Sequence, residues 1–317
     1  MQGQSAKPAP VYKEAPFFKR LAIDFQKHKY KYLLILPIIV YLILFCYKPM
    51  YGLVIAFKNY RPTRGIWGSN WVGFLWYETF FKDPYFWRLL RNTFTISGLT
   101  ILFGFPAPII LALLLNEVRS NKFKRTVQTI TYMPYFISLV VTCSLLKIYC
   151  MENGLFPQIM ELFGAQRQNL LANPKYFYPI YILSDIWQGI GWNSIIYLAA
   201  LSGIDQEQYE AARIDGANRL QQVIHITLPG LMPTITILFI LRMGNILNVG
   251  YEKILLLYNP STYEVADVLS TYTYRTGLEN QQYSLSTAVG LFNTMVNVVF
   301  LLITNYISKK STESGLF

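Results

Sequence analysis

Charge is scarce in this chain. Only 14% of its 317 residues are Asp, Glu, Lys or Arg, against 53% hydrophobic ones. Soluble domains carry about 25% charged residues. Too few ionisable side chains are present to cover a soluble surface of this size, which excludes a cytosolic enzyme and points to an integral membrane protein. Cysteine is scarce too. Cys46, Cys143 and Cys150 are odd in number and all fall in apolar runs, so neither a disulfide framework nor a CxxC metal pattern is present. The two histidines, His28 and His225, flank apolar runs and form no metal cluster or nucleophile–base pair. No GxxxxGK[ST] string occurs, so the chain has no loop to wrap the phosphates of ATP. Asp83, Glu152 and Glu161 read as single, solvated loop acids.

What is present is apolar length. A helix needs about 20 mostly apolar residues to cross the hydrocarbon core. Six stretches qualify, at roughly 32–57, 93–115, 127–150, 177–201, 230–250 and 284–307. The fold class expected is an all-α integral membrane protein with six transmembrane helices. The first run follows a basic lead-in and is not followed by a small-x-small cleavage site, so it reads as a retained span rather than a signal peptide. The expected organisation is a cytoplasmic N-terminal segment (1–31), a six-helix domain (32–307) containing a loop at 203–229, and a cytoplasmic tail (308–317).

Basic residues orient the spans. One side collects Lys7, Lys13, Lys19, Arg20, Lys27, Lys29 and Lys31, then Arg119, Lys122, Lys124 and Arg125, then Arg213, Arg219, Lys309 and Lys310. That side holds 15 Lys and Arg against 10 on the other. Both termini are therefore expected in the cytoplasm of a multi-pass plasma-membrane protein. The first outer segment, 58–92, reads as a compact loop followed by a short amphipathic helix at the interface, with Trp67, Trp71, Trp76 and Trp87 as an aromatic belt. A second long outer segment covers 251–283.

The cytoplasmic loop before the fifth stretch reads GIDQEQYEAARIDGANRLQQVIHITLPGLMP. Asp205 is a good N-cap, and Gln208 three residues on completes a capping-box pattern. The spacing predicts a helix over 206–214, a turn at Gly216 and a second short helix over 218–226 that Pro229 ends. Ala211 and Ala212 would let another protein approach closely.

Glu210-Ala211-Ala212, Gly216 and Ile226-x-Leu228-Pro229 match the pattern EAA-x3-G-x9-I-x-LP at every spacing, and Asp215-Gly216-Ala217 fits its extended form. The loop thereby resembles the EAA signature of ATP-binding-cassette importer permeases. Segments such as PMYGLVIAFKNY, GFPAPIILALLLNEVR and KRTVQTITYMPYFISLVV look like permeases for oligosaccharides or polysaccharide fragments in Gram-positive bacteria, of the maltose-permease-like carbohydrate-uptake class. The likeness does not extend to the two extra N-terminal spans or the large periplasmic insertion of the larger maltose permease subunit. The resemblance implies a type I importer permease fold. It implies that the EAA helix docks in a cleft of a separate ATPase subunit, with Glu210 making polar contacts and Gly216 setting the angle between helices. It implies no cofactor in this chain, with ATP and Mg bound by two partner ATPases. The remaining partners implied are a second permease, usually a different one, and a lipid-anchored extracellular solute-binding protein received by the outer segments.

Polar residues inside spans are functional candidates. At 1.5 Å per residue, Asp185 and Arg242 both lie about 12 Å inside the outer boundary of a ~30 Å core. Equal depth allows a salt bridge between them or a shared water-filled cavity. Arg242, Asn245 and Asn248 repeat at three-residue steps and form one helical stripe. With Trp187, Gln188, Trp192 and Asn193 of the fourth stretch, and Asn293 and Asn297 of the sixth, they make the candidate sugar path. Aromatic faces suit the C–H face of a pyranose, amides suit its hydroxyls, and a free Arg suits a uronate carboxylate. The competing account is that these amides join helices to each other. The alternative function, an ion-coupled secondary transporter of a small polar solute, needs membrane carboxylates. Asp185 is the one candidate, and no inverted sequence repeat is evident.

Overall fold

The structure, a computed structural model, describes residues 24–25, 27–312 and 315–317. Most of the expected segment 1–31 and part of the tail 308–317 lie outside the described residues. The chain divides into two units, Met1–Val54 and Ile55–Phe317.

The first unit contributes most of the helix Lys29–Phe57. Pro37 lies inside it and Leu42–Tyr47 widens into π turns. No side chain from Lys29 to Met50 is buried, and most of the exposed ones are Leu, Ile, Val, Tyr or Phe. A helix apolar on every side suits a hydrocarbon environment.

The second unit is built on the helices Phe86–Glu117, Pro174–Leu201, Arg219–Met243 and Tyr283–Thr312. Helix 174–201 packs along Pro106–Glu117 and Leu228–Met243, with Ile109, Ala112, Tyr197, Leu201 and Leu231 buried between them. Among the described residues, four helices are long and apolar enough to cross a membrane, and a bent pair makes a fifth. Helix Pro174–Leu201 has 28 residues, about 42 Å of length, but is too polar to be counted with them.

Several expectations change. The third stretch is not straight. It consists of Asn121–Phe136 and Leu139–Cys150, bent by 96°. The first of these ends in a 3-10 turn containing Pro134, and the Ser138 hydroxyl starts the second by accepting from the Val141 N–H at 3.3 Å. A proline and a fresh N-cap within five residues are sufficient cause for the bend. Beyond the bend, Gly191 lets helix 174–201 pass against the chain: a Cβ there would lie 2.1 Å from the Thr131 carbonyl oxygen.

Pro229 does not end a short helix. Residues 219–243 run as one helix through the π turn Val223–Thr227. The extra residue of a π turn shifts the carbonyl register, so the proline ring enters without breaking the rod. This helix then stops at Met243, seven residues before the expected end at 250, and 244–250 is non-helical. Asn245 and Asn248 are therefore in a turn and do not continue a helical stripe from Arg242.

In the outer segment 58–92, Lys58–Asn59 pairs antiparallel with Asn70–Trp71 and a short helix covers Leu75–Phe81. The residues after Phe86 belong to the long helix rather than to an interfacial one. Trp67, Trp71 and Trp87 are exposed, whereas Trp76 is half-buried and donates to the Lys58 carbonyl at 2.9 Å.

The second outer segment is partly helical and packs into the core. Tyr251–Leu257 and Leu269–Tyr274 are helices that bury Ile254, Leu257, Val268 and Leu269 in the core. Asp267, 1% exposed, ties this segment down: Arg275 donates to both its oxygens at 3.2 and 2.8 Å, Thr271 at 2.8 Å, and Arg88 lies 3.8 Å away. Asn92 also donates to its backbone carbonyl at 3.0 Å. The hydrogen bonds to Asp267 raise the Arg275 pKa. Two of the acids expected to be single have partners, Glu161 while still exposed. Asp83 accepts from the Tyr272 hydroxyl at 2.8 Å, and Glu161 pairs with Arg167 at 2.6 Å.

Candidate functional site

Two constellations carry the sequence-derived candidates. The first is the 203–229 loop. Helix Gln206–Ile214 starts where expected, with the Asp205 carboxylate accepting the Glu207 N–H at 3.0 Å. The expected reciprocal box with Gln208 does not form, because Asp205 takes the second amide and not the third. A capping box occurs instead at the next helix, where Asn218 and Gln221 exchange bonds of 2.9 and 2.8 Å. Between the two helices Gly216 has φ of +79°, a left-handed conformation that a side chain resists.

Glu210, Ala211 and Ile214 are exposed, and Ala212 is half-buried. Glu207 with Ala211 and Glu210 with Ile214 are four residues apart, so they form one outward face. The opposite side is held by Tyr209, 9% exposed, whose hydroxyl shares a 3.0 Å bond with Thr227 Oγ1. Asp215, Gly216 and Pro229 are exposed, while Ile226 and Leu228 are half-buried. Arg219 meets Glu117 at 3.7 Å, joining the loop to the end of helix 86–117.

The second constellation is a pair of cavities sharing Thr100, Asp185, Arg242 and Asn245. One, of about 380 Å³, is also lined by Asn248, Tyr181, Tyr251, Glu252 and Lys253. The other, of about 570 Å³, is also lined by Trp192, Asn193 and Tyr197. Asp185 and Arg242 thus border the same cavities, but they are not an ion pair. Asp185 pairs with Lys253 at 3.3 Å. The guanidinium of the exposed Arg242 has no bonded partner among the described residues. Trp192 stacks face to face on Tyr135, with centroids 4.6 Å apart and planes within 5°.

Four path candidates have other surroundings. Trp187 is two residues, or about 200° of helix, from Asp185 and lines an apolar groove of about 500 Å³. Gln188 donates to the Ile137 carbonyl at 3.0 Å and to Thr142 at 3.4 Å, serving the bend of the third stretch. Asn297 is 6% exposed and accepts the Leu247 N–H at 2.9 Å. Asn293 donates to Asn248 at 2.9 Å, which in turn donates to Asn245 at 3.1 Å. Asn297 and Gln188 follow the helix-joining account, and Asn293 buttresses a cavity residue. The cavity residues missed in the sequence are Tyr181, Tyr251 and Lys253. Lys253 carried a signal, an ammonium three residues beyond an apolar stretch and directly before Ile-Leu-Leu-Leu.

Comparison with known proteins agrees with this architecture. Residues 104–313 match the family described as "Binding-protein-dependent transport system inner membrane component". The polygalacturonan/rhamnogalacturonan transport system permease protein YteP of Bacillus subtilis (strain 168) is 45% identical over 300 residues, covering 94% of each chain. Protein LplB of the same organism is 44% identical over 293 residues, covering 92% of each. A chain in the crystal structure of a bacterial alginate ABC transporter, in complex with an alginate pentasaccharide-bound periplasmic protein, superimposes with a TM-score of 0.86 at 44% identity. That match covers 94% of this chain and 100% of the other. In such systems ATP hydrolysis belongs to separate subunits, and this chain is the non-enzymatic permease component. The chain belongs to the binding-protein-dependent transport system inner membrane component family, with the type I ABC importer permease fold.

Proposed function

We propose that this permease is one of two membrane subunits of an importer, usually unlike each other, and carries an oligosaccharide or polysaccharide fragment inward by alternating access. Helix 174–201 then crosses the membrane as well, giving six spans with both termini in the cytoplasm. The excess of Lys and Arg on that side supports the orientation. Two ATPase subunits dock on the loop, and a lipid-anchored solute-binding protein delivers the sugar to the outer segments.

The observation that carries the coupling part is the exposed face of Glu207, Glu210, Ala211 and Ile214, set by the left-handed joint at Gly216 and braced behind by Tyr209. Small and acidic side chains on a rigid two-helix hook suit insertion into a cleft. Glu210, Ala211 and Ala212 contact the ATPase. Asp215 and Gly216 turn the chain, and Ile226, Leu228 and Pro229 join the hook to helix 219–243.

The sugar passes the cavity of Asp185, Trp192, Asn193, Arg242, Asn245 and Asn248. This set holds amides for hydroxyls, an indole for an apolar sugar face, and an unpartnered guanidinium for a carboxylate. Two relatives named for polygalacturonan and alginate make an acidic fragment the favoured cargo.

The test is uptake in proteoliposomes containing the whole complex. ATP-dependent accumulation of the fragment is expected, and Ala211→Leu is expected to abolish it with assembly intact. Unchanged uptake and fragment-stimulated ATPase activity in that variant would refute the coupling role.

A further inference from the structure

Two acids on the outer side of the second unit are held by bases in opposite ways. Asp267 is closed. It is 1% exposed, and its oxygens take Arg275 and Thr271, with Arg88 nearby. Asp185 is open. Its side chain is 45% exposed and borders both cavities. Its one hydrogen bond among the described residues comes from Lys253 Nζ at 3.3 Å. Charge-assisted N–H···O bonds run at about 2.7–2.9 Å, so this pair is loose.

The cation of the pair is fixed where the anion is not. Lys253 is 4% exposed. Its ammonium donates to the Tyr181 carbonyl at 3.2 Å and lies 4.7 Å from the centre of the Tyr181 ring. Removing Asp185 from the pair leaves Lys253 in place, pointing its charge at the cavity. Arg242 borders the same space. Glu252 borders the smaller cavity alone, is exposed, and takes the Tyr251 hydroxyl at 3.3 Å. In the larger cavity the only charged side chains among the described residues are Asp185 and Arg242.

We infer that Lys253 is a specificity residue that reads a carboxylate of an acidic sugar, and that Asp185 is an internal carboxylate that holds its place in the empty path. The inference rests on the reading of this cavity as the sugar path. A uronate unit approaching Arg242 exchanges with Asp185 at Lys253. One ion pair opens and an equivalent one forms, Asp185 turns into the cavity, and no proton moves. A buried ammonium left without an anion is strongly disfavoured. A neutral sugar cannot supply one, so it leaves Asp185 in place and gains nothing from Lys253. The pair thereby separates acidic from neutral fragments inside the membrane subunit itself.

The experiment uses the assembled complex without its binding protein. The signal is the fluorescence change that Trp192→Phe removes. The ligands are a galacturonate trisaccharide and its carboxyl-reduced counterpart. Asp185→Asn removes the internal competitor and is expected to lower the half-saturating concentration of the acidic trisaccharide by about tenfold, the scale of one hydrogen bond to a charged group. Lys253→Met leaves Asp185 unanswered and should raise it by a similar factor, with Lys253→Arg retaining wild-type binding. The double variant Asp185→Asn/Lys253→Met should return close to wild type, and the reduced trisaccharide should respond to none of these changes.

Unchanged or weaker acid binding in an assembled Asp185→Asn complex would overturn the inference. Equal shifts for the acidic and reduced sugars would do the same, since they would make the pair a strut. No Trp192-dependent response to either sugar in the wild-type complex would overturn the sugar-path reading itself, and this inference with it.

Discussion

Tyr209 and Thr227 share a hydrogen bond of 3.0 Å across the fold of the 203–229 hook, with the tyrosine 9% exposed. The bond fastens the exposed helix 206–214 to the root of helix 219–243. A hook that transmits motion must not swivel on its stem. Tyr209→Phe removes about 1 kcal/mol of that fastening, enough to shift a two-state equilibrium about fivefold. The complex should assemble normally and consume more ATP per fragment imported, as read by parallel uptake and phosphate-release assays.

Gly216 predicts a graded series. A left-handed residue costs about 1–2 kcal/mol for most side chains, and asparagine tolerates that conformation better than a β-branched residue. Fragment-stimulated ATPase activity should fall in the order Gly216, Gly216→Asn, Gly216→Val. Equal activity for the asparagine and valine variants would show that the joint relaxes without consequence.

At the bend of the third stretch, Gln188 satisfies a carbonyl that the broken helix leaves open. Gln188→Leu keeps the bulk and removes the donor, at a cost of about 1 kcal/mol, because the carbonyl is only partly buried. The expected result is a lower Tm of the purified complex. Gly191→Ala, whose added carbon would meet the Thr131 backbone, should lower it as well, by about 1–3 kcal/mol of overpacking.

The closed acid makes a different prediction. Asp267→Asn strips the charge that faces two guanidiniums. Breaking a buried pair costs about 3–5 kcal/mol, and less here because Arg88 and Arg275 are 30% and 29% exposed. Hydrogen exchange should accelerate across 251–279 while the amides of helix 219–243 keep their protection.

Local chemistry was legible in the sequence, and long-range satisfaction was not. Asp205, Gly216 and the run between them specify helix 206–214 through neighbours a few residues away, and the helix bounds agree with that reading. The bend at 137–138 has local marks in Pro134 and Ser138, which hydropathy does not register, and the donor to its open carbonyl is 51 residues distant. Hydropathy sees one continuous apolar run there. The end of the helix at Met243 was hidden for the same reason. The unwound stretch after it is satisfied by Asn297 and by the Ser97 hydroxyl donating to the Ile246 carbonyl. Asp185 and Arg242, reckoned along two separate helices, border the same cavities. The identity of the Asp185 partner required knowing that 251–257 folds back into the core.

The unbroken course of residues 219–243 gives the molecule a lever. Arg219 stands at the hook and Arg242 at the cavity, about 35 Å apart along one rod. A tilt of about 10° imposed at the hook displaces the far end by about 6 Å, at the 1.5 Å rise of a helix. The same rod carries its widest turn at 223–227, close to the hook. In the proposed function the short arm then lies on the ATPase side of that turn and the long arm reaches the cavity, so a small stroke at the hook would be magnified at Arg242.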